Sequence, residues 1–511
     1  MTVRASSPDP APARLLTLSA PTVEALERAT DELADRLDAA GEAGFARLPA
    51  VPAPRAEPGA VRRAVLADSA ANAARWLRKR DVRRVFGGAG DGSSRVFLFS
   101  GVGDQYPGLG AGLYRCLPAF RDELDRCFGL LADEHGLDLR PVLFPPPTAG
   151  DAGEAQAAGA AGAAGAAAEG SADPFDRHTA PQEIHRTVVA QPLLFALQYS
   201  LARALTALGA PPAALAGYSV GEYTAACVAG VFPVEDALRL VTGRARLVDE
   251  LPPGAMLAVA AGREALDGPL AGLLPGPLSL AALNGPQQTV LSGPVEAVEE
   301  ALGRLTGAGL PCQRLATAHA YHSAMTEPLT GPLEELLGTV PLARPAIPLL
   351  SNVTGTWLRD EEATSPAFWA RQLSRTLRFS DELATVWRLP DPLLVELGPG
   401  QALTRLALGH PDRPANALAS VVQTLPGRLE RRPERELLLA AAGRLWAAGA
   451  AVDWSALAEE PPAGTEEPPV HPAGPSAPTE EPPVHPAQPS APTEAPAAST
   501  AAPAARTEEH G

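Results

Sequence analysis

The sequence has few cysteines, no long apolar run and no signal-peptide core. Its four cysteines include no C-x-x-C pair, so they indicate neither a disulfide framework nor a zinc site. No uninterrupted apolar run reaches the roughly 18 residues that cross a bilayer, and the opening stretch MTVRASSPDPAPARLL has no hydrophobic core. We therefore predict a soluble, cytoplasmic protein with reduced thiols and no metal site.

Basic residues are also fewer than acidic residues. The chain has 42 Lys and Arg against 59 Asp and Glu, which gives a formal net charge of -17. Nucleic acids and anionic membranes bind basic surfaces that displace counterions. The charge balance therefore argues against either of them as the main partner.

Proline and glycine are abundant, with 55 and 47 residues, and they concentrate in segments that cannot bury a core. We predict a disordered start at 1–11, a flexible Ala/Gly insertion at 149–172 and a disordered Pro/Glu-rich tail at 458–511. The tail contains a direct repeat, TEEPPVHPAGPSAP and TEEPPVHPAQPSAP, at 465–478 and 479–492. We interpret its two histidines as linker residues rather than metal ligands, because an extended segment gives them no fixed geometry.

Elsewhere short apolar runs alternate with segments of helical spacing, which predicts an α/β protein. Residues 12–90 form a small α/β unit that begins with the strand RLLTLSA, and the linker GGAGDGSS follows it. The run VFLFSG is typical of a strand buried on both faces of a parallel sheet, and it opens a main domain at 95–410. Residues 255–318 predict a small antiparallel subdomain inserted in the main domain, and a long helix is expected from Gln191, with proline at its start.

The segment GYSVG at 217–221 fits the pattern G-x-S-x-G between a predicted strand and a predicted helix. In this setting the backbone turns sharply and holds the serine out at the tip, and small neighbours are needed because side chains would clash. The helix that follows directs its N-terminal N–H groups toward developing negative charge. We therefore predict that Ser219 is a nucleophile.

A nucleophilic serine needs a base, and His319 and His322 are the best placed of the nine histidines. They follow a predicted strand that leaves the inserted subdomain, where a side chain can project into a cleft between the two units. Taken alone, either residue would more often be a structural histidine than a catalytic one.

Several motifs occur in the order found in the acyltransferase domains of modular polyketide synthases, and the chain resembles that family over about 12–457. The motifs are VFLFSGVGDQYPGLG, GYSVGEYTAACVAGVF, HAYHSAMTEP, SNVTG and VELGPGQALT. The related malonyl-CoA:acyl carrier protein transacylases share the catalytic motifs without the flanking segments. The resemblance implies an α/β-hydrolase-like large subdomain with a parallel sheet, an inserted ferredoxin-like subdomain, an N-terminal linker domain and a post-acyltransferase linker at 411–457.

The resemblance also implies roles for individual residues. Ser219 matches the nucleophile and His322 the general base, while His319 becomes a cleft residue. The backbone N–H groups of Gln105 and Val220 match the oxyanion hole, although GVGDQ has valine where the family has glutamine. The backbone carbonyl of Gln372 matches the group that orients the base.

The acyl-binding residues follow from the same resemblance. Arg244 matches the arginine that grips the free carboxylate of malonyl-type groups, a role for which a planar guanidinium is suited. Asn284 matches a cleft asparagine near the substrate. Tyr218 replaces the usual histidine before the nucleophile, and we interpret this change as altering rate, pH dependence or acyl preference rather than abolishing activity.

The residues 319–322, with sequence H-A-Y-H, predict the extender unit. In the family H-A-F-H accompanies malonyl selection and Y-A-S-H accompanies methylmalonyl selection, so the resemblance implies malonyl with Tyr321 in place of phenylalanine. A ring beside the base fills the space that an α-methyl group needs. Val220 agrees, because methylmalonyl enzymes often have glutamine there.

The predicted activity is the transfer of a malonyl-type group from coenzyme A to the phosphopantetheine thiol of an acyl carrier protein. It needs no metal or redox cofactor. The predicted partners are acyl-CoA, the carrier protein and a ketosynthase subunit of a polyketide synthase. Two alternatives stay open: a proofreading hydrolase of the same fold that strips stalled acyl groups from carriers, and a non-catalytic docking or scaffold subunit.

Overall fold

The computed structural model describes residues 13–52, 59–88, 93–146 and 183–458. The predicted start at 1–11, the Ala/Gly insertion at 149–172 and the tail beyond 458 lie outside these residues. The described part has three sheets, one antiparallel at the N-terminus, one parallel and one antiparallel after it.

The N-terminal unit is a three-stranded antiparallel sheet covered by two helices on one face. Its elements are β1 (Arg14–Ala20), α1 (Val23–Phe45), β2 (Val61–Ala67), α2 (Ala70–Lys79) and β3 (Val85–Gly88). Thr22 and Ser69 cap the two helices by accepting backbone N–H groups. Strand β3 was not predicted, because its Gly87 and Gly88 begin the predicted linker GGAGDGSS; in the structure they pair with Arg63 and Arg62 of β2.

The large subdomain is built on a four-stranded parallel sheet in the order β11-β10-β4-β5. Its strands are β4 (Ser94–Phe99), β5 (Ala214–Gly217), β10 (Pro392–Pro399) and β11 (Val421–Leu425). All eight residues of β10 are buried, as the apolar run LLVELGPG predicts. Strand β11 belongs to the predicted post-acyltransferase linker at 411–457, so that segment supplies an edge strand of the sheet and is more than a linker.

Helices surround the parallel sheet. They are α3 (Ala111–Cys116), α4 (Pro118–His135), α5 (Arg140–Leu143), α6 (Thr187–Ala207), α7 (Val220–Val228), α8 (Val234–Asp249), α10 (Thr330–Leu337), α11 (Asp360–Ala363), α12 (Pro366–Gln372), α13 (Phe379–Val386), α14 (Ala402–Gly409), α15 (Glu434–Ala447) and α16 (Ser455–Ala458). Helix α6 begins at Thr187, four residues before the predicted start, so Pro192 lies inside it. By length and composition α6 is the one described helix that could cross a membrane, yet 89% of its apolar window is buried in the protein, as in a core helix.

The inserted subdomain has an antiparallel sheet in the order β7-β8-β6-β9. Its elements are β6 (Gly254–Val259), β7 (Ser279–Gly285), β8 (Gln288–Pro294), α9 (Val295–Gly307) and β9 (Cys312–Arg314). The first strand of the subdomain, β6, lies in the middle of the sheet, between β8 and β9, and β7 forms an edge beside β8. A ferredoxin-like subdomain has this strand order, as predicted. A short 3₁₀ turn, Arg263–Leu266, stands where the first connecting helix of that arrangement would be.

Helix α15 joins the N-terminal unit to the large subdomain. It packs on the face of the N-terminal sheet opposite α1 and α2, and its Gly443 lies so close to Leu15 and Ala64 that a larger side chain would displace them. The Arg444 guanidinium stacks over the Phe86 ring at 4.3 Å from the centroid. The first and last described segments of the chain therefore form one packed interface.

Candidate active site

The turn between β5 and α7 places Ser219 at the carboxyl end of the parallel sheet. Ser219 has φ 56° and ψ -117°, a region that a residue with a side chain rarely adopts. Both glycines of GYSVG are required by close approach: a Cβ at Gly217 would collide with the backbone of Glu222, and one at Gly221 with the Phe99 carbonyl oxygen. The local sequence therefore permits a sharp turn that exposes the serine hydroxyl.

His322 lies beside this serine. Its Nε2 is 2.8 Å from the Ser219 Oγ, and its Nδ1 is 3.2 Å from the Gln372 carbonyl oxygen and 3.1 Å from that of Arg375. Carbonyl oxygens only accept hydrogen bonds, so Nδ1 carries the proton and the lone pair of Nε2 faces the serine. This tautomer is the one that can take a proton from Ser219.

The surroundings of His322 keep it neutral. Burial, and then the positive charge of Arg244, lower its pKa to about 3, although the two backbone carbonyls act in the opposite direction. The imidazole is therefore unprotonated at neutral pH and is available as a base.

The two predicted oxyanion donors belong to different segments: Val220 directly follows Ser219, and Gln105 lies on the loop after β4, which approaches the serine turn at Gly101. Val220 is the first residue of α7, so its N–H has no partner within the helix. The Gln105 side chain fixes the other loop, because its Oε1 accepts the Gly103 N–H at 2.7 Å and its Nε2 donates to the Ile184 carbonyl at 3.2 Å. Val102, which replaces the usual glutamine, is 37% exposed.

Arg244 is a buried cation on α8, with 1% of its surface exposed. One of its terminal nitrogens, Nη1, donates to the Gln191 Oε1, and the guanidinium lies 5.6 Å from the Tyr223 ring centroid. Its Nε and Nη2, and the Nε2 of Gln191, have no hydrogen-bond partner among the described residues. Burial lowers the pKa of Arg244, but an arginine stays charged under ordinary conditions. The arrangement therefore presents several unused N–H donors and a positive charge to an anion.

Tyr321 lies near Arg244 and directly precedes His322, and His319 lies beside Tyr321. The Tyr321 hydroxyl is 3.1 Å from the Thr187 Oγ1, and the ring is buried. His319 packs edge-on against Tyr321, with 6.2 Å between ring centroids, and its Nε2 is 3.8 Å from Asp249. Burial lowers the pKa of His319. His319 therefore packs against Tyr321 and lacks the serine contact that His322 makes.

Tyr218 and Asn284 lie on the side of the inserted subdomain. The Tyr218 ring meets Phe379 edge-on at 5.3 Å between centroids, and burial raises the pKa of its hydroxyl to about 12, with the neighbouring Asn284 side chain acting in the opposite direction. Tyr218 therefore stays neutral. The Oδ1 of Asn284 is buried without a hydrogen-bond partner among the described residues.

Four buried side chains form hydrogen bonds beneath the serine turn, and the sequence did not predict this role for any of them. They are Asn352, Gln372, Glu222 and Glu382. Asn352 accepts the Ser219 N–H at 2.7 Å, and the Gln372 Nε2 donates to the Ser219 carbonyl at 2.9 Å. Glu222 and Glu382 bond to these amides in turn. The motif SNVTG carried a signal for Asn352, whereas only the backbone of Gln372 had been assigned. The second carbonyl on His322, from Arg375, had no sequence signal.

No group of three His, Cys, Asp or Glu side chains in the described part of the chain could hold a metal ion. The chemistry that these residues support is nucleophilic: a serine, a neutral imidazole, two backbone N–H groups and a buried cation.

Comparison with known proteins identifies the family of the chain. The family described as acyl transferase domain matches residues 96–407. A component of the phenolphthiocerol/phthiocerol polyketide synthase of Mycobacterium tuberculosis is 37% identical over 360 residues, which are 70% of this chain. The chain spans only 22% of that relative's length.

Solved structures extend the likeness to the fold. The acyl transferase domain of SpnD, in complex with 2-(pent-4-yn-1-yl)malonyl, has a TM-score of 0.67 and 32% identity over 88% of this chain and 98% of its own. The malonyl-transacylase of the complex PlMCAT:AntF, with a type II polyketide synthase acyl-carrier protein, has a TM-score of 0.53 and 25% identity, over 68% of this chain and 99% of its own. The chain therefore belongs to the acyl transferase domain family, as an acyltransferase domain of the kind found in modular polyketide synthases.

Proposed function

We propose that this acyltransferase transfers a malonyl group from coenzyme A to the phosphopantetheine thiol of an acyl carrier protein. The proposal rests above all on Arg244, a buried guanidinium whose Nε and Nη2 groups have no hydrogen-bond partner among the described residues. Its positive charge lies close enough to His322 to lower the pKa of that residue. A buried cation with unused donors is costly unless a ligand supplies acceptors. A carboxylate held there places the rest of a short acyl thioester near Ser219.

The first half-reaction forms an acyl-serine. The Ser219 Oγ attacks the thioester carbonyl carbon as its proton passes to the His322 Nε2, and the N–H groups of Gln105 and Val220 stabilise the oxyanion. The carbon–sulfur bond then breaks, and the imidazolium returns the proton to the sulfur of coenzyme A. The carbonyls of Gln372 and Arg375 stabilise the transient imidazolium through its Nδ1–H.

The second half-reaction reverses these steps with a different thiol. The pantetheine thiol of the carrier gives its proton to His322, and its sulfur attacks the acyl carbonyl. The ester bond then breaks, and Ser219 recovers its proton. The proposal of a carrier as acceptor is supported by the similarity to the malonyl-transacylase that was solved with its acyl-carrier protein.

The position of Tyr321 supports a preference for malonyl-CoA over methylmalonyl-CoA as the substrate. Its buried ring is held beside Arg244 and His322 by the hydroxyl contact to Thr187, so it occupies space that an α-substituent would need. One methyl group in a pocket changes the transition-state energy by about 1–3 kcal/mol, so we expect a strong preference that is not absolute.

The test is a product assay with an empty carrier and a loaded carrier. The enzyme is incubated with malonyl-CoA and holo-carrier, and separately with malonyl-carrier alone, and the masses of carrier and free acid are followed. The proposed transferase charges the empty carrier faster than it releases malonate. Faster release of malonate would support the proofreading hydrolase, and no change in either carrier would support a scaffold.

A further inference from the structure

The strained backbone of Ser219 is held by side chains on both sides. Its N–H donates to the Asn352 Oδ1 at 2.7 Å, and its carbonyl accepts from the Gln372 Nε2 at 2.9 Å. Asn352 also donates through its Nδ2 to the Gly217 carbonyl oxygen, two residues before the serine. The two amides therefore restrain the peptide groups that set the direction of the Ser219 side chain.

Asn352, through its backbone, and Gln372, through its side chain, are in turn held by one carboxyl group. The Glu222 Oε1 accepts the backbone N–H of Asn352 at 3.0 Å, and its Oε2 accepts the Gln372 Nε2 at 3.0 Å. Glu222, Asn352 and Gln372 have no exposed surface. Glu382, also fully buried, accepts the Asn352 Nδ2 at 2.7 Å and completes the set.

Gln372 connects this set to the base. While its side chain holds Ser219 and Glu222, its backbone carbonyl accepts the His322 Nδ1–H at 3.2 Å. His322 has φ 56°, so the base, like the nucleophile, has a backbone conformation that its surroundings must maintain. One residue therefore ties the positions of nucleophile and base to the same buried carboxyl group.

We infer that Glu222 is a positioning residue for the acyl transfer, which sets the distance between Ser219 and His322 through Asn352 and Gln372. The inference rests on the proposed role of Ser219 as the nucleophile. A buried carboxyl group costs more free energy than an apolar side chain of similar size, so its presence in the core calls for a role beyond packing.

The change Glu222→Gln tests this role with almost no change in volume. The carboxyl group accepts at both oxygens, but a carboxamide accepts at only one, so its NH₂ group must face either the Asn352 N–H or the Gln372 Nε2. Two N–H donors then face each other without an acceptor, so Asn352 or Gln372 is displaced. Because these two residues hold the Ser219 backbone, Ser219 moves relative to His322. Because small misplacements of a nucleophile cost up to about 100-fold in rate, we expect labelling of Ser219 to fall by about 10- to 100-fold.

Glu396→Gln is the matched control. Glu396 is also fully buried and also accepts N–H groups at both oxygens, from Leu403 and Thr404 at 2.9 Å each. None of its hydrogen bonds reaches Ser219, His322 or the residues that hold them. A general loss of core stability therefore affects both variants, whereas a positioning role affects only Glu222→Gln.

The readout is the rate at which a fluorophosphonate labels Ser219, followed by intact mass, together with the rate and concentration dependence of malonyl-serine formation. We expect Glu222→Gln to slow both reactions at unchanged half-saturation by malonyl-CoA, because Arg244 is untouched. Gln372→Met, which keeps the backbone carbonyl for His322, should slow them similarly, and the double variant should lose little more than either single one.

Normal labelling in folded Glu222→Gln would overturn the inference, as would an equal loss in Glu396→Gln or fully additive losses in the double variant. If Glu222→Gln does not fold, normal labelling in Gln372→Met overturns it instead. A wild-type protein that reacts with the fluorophosphonate but not with malonyl-CoA would refute the proposed function and leave this inference to be decided by the probe alone. A wild-type protein that does not react with the probe would refute an activated Ser219 and the inference with it.

Discussion

Removal of the buried cation by Arg244→Ala should shift the acyl selectivity of the enzyme from malonyl toward acetyl. The Nε and Nη2 groups of Arg244 have no partner in the described part of the chain, and a carboxylate can accept from both. Each hydrogen bond to a charged group contributes about 1.5–3 kcal/mol, so loss of two amounts to about 3–6 kcal/mol. This corresponds to a fall of about two to four orders of magnitude in kcat/KM for malonyl-CoA.

Acetyl-CoA should respond in the opposite direction, because it has no carboxylate and leaves the buried guanidinium of the wild type unpaired. Loss of the positive charge also raises the pKa of His322 toward its ordinary value and strengthens it as a base. We therefore expect the ratio of acetyl to malonyl transfer to rise.

The assay is direct competition of malonyl-CoA and acetyl-CoA for acyl-serine formation, read by intact mass. Arg444→Ala is a matched control, since it removes another largely enclosed arginine, from the stack on Phe86, without touching the serine site. It should leave the selectivity unchanged. Malonyl transfer at the wild-type rate in Arg244→Ala would remove the carboxylate clamp from the mechanism.

Three further predictions concern the pocket wall, the turn and pH. Tyr321→Ser should narrow the preference for malonyl-CoA over methylmalonyl-CoA in competition, whereas Tyr321→Phe, which keeps the ring, should preserve it; equal ratios in the two variants would contradict a steric wall. Gly221→Ala should abolish acyl-serine formation, because the added Cβ collides with the Phe99 carbonyl, and normal acylation would refute the need for close approach. Because the pKa of His322 is about 3 in the folded state against an ordinary 6.5, the unfolded chain takes up a proton first as pH falls, and stability is lost below about pH 6.5. Between pH 7.5 and 5 the wild type should lose about 2 kcal/mol more unfolding free energy than His322→Gln in urea titrations, and parallel losses would contradict a buried neutral imidazole.

Sequence patterns predicted the elements that are set by local composition. The apolar runs before Gly101 and around Glu396 indicated central strands, and an inserted antiparallel subdomain was expected at 255–318, where β6 to β9 and α9 lie. Ser219 and His322 were recognisable because a tight turn and a motif constrain the residues around them. Their 2.8 Å contact is a consequence of the fold, which no spacing along 103 residues encodes.

Features that form only when distant segments of the chain approach each other were not predicted, or were assigned to another part of the fold. Strand β3 has only four residues and ends in two glycines, so its strand character comes from pairing with β2. Strand β11 is short and follows a loop, and only its parallel register with β10 shows that it belongs to the main sheet. Glu222 would be read as a surface residue of a helix, because nothing in the local sequence shows that Asn352 and Gln372 surround it.

The most direct test of serine-dependent malonyl transfer is intact-protein mass spectrometry after the enzyme is mixed with equal amounts of malonyl-CoA and methylmalonyl-CoA. We predict one dominant adduct with the mass of a malonyl group, located on Ser219 by peptide mapping, absent from Ser219→Ala and lost when holo-carrier is added, as the carrier gains the same mass. An adduct that persists in Ser219→Ala, or a methylmalonyl adduct that equals or exceeds the malonyl one, would contradict the account.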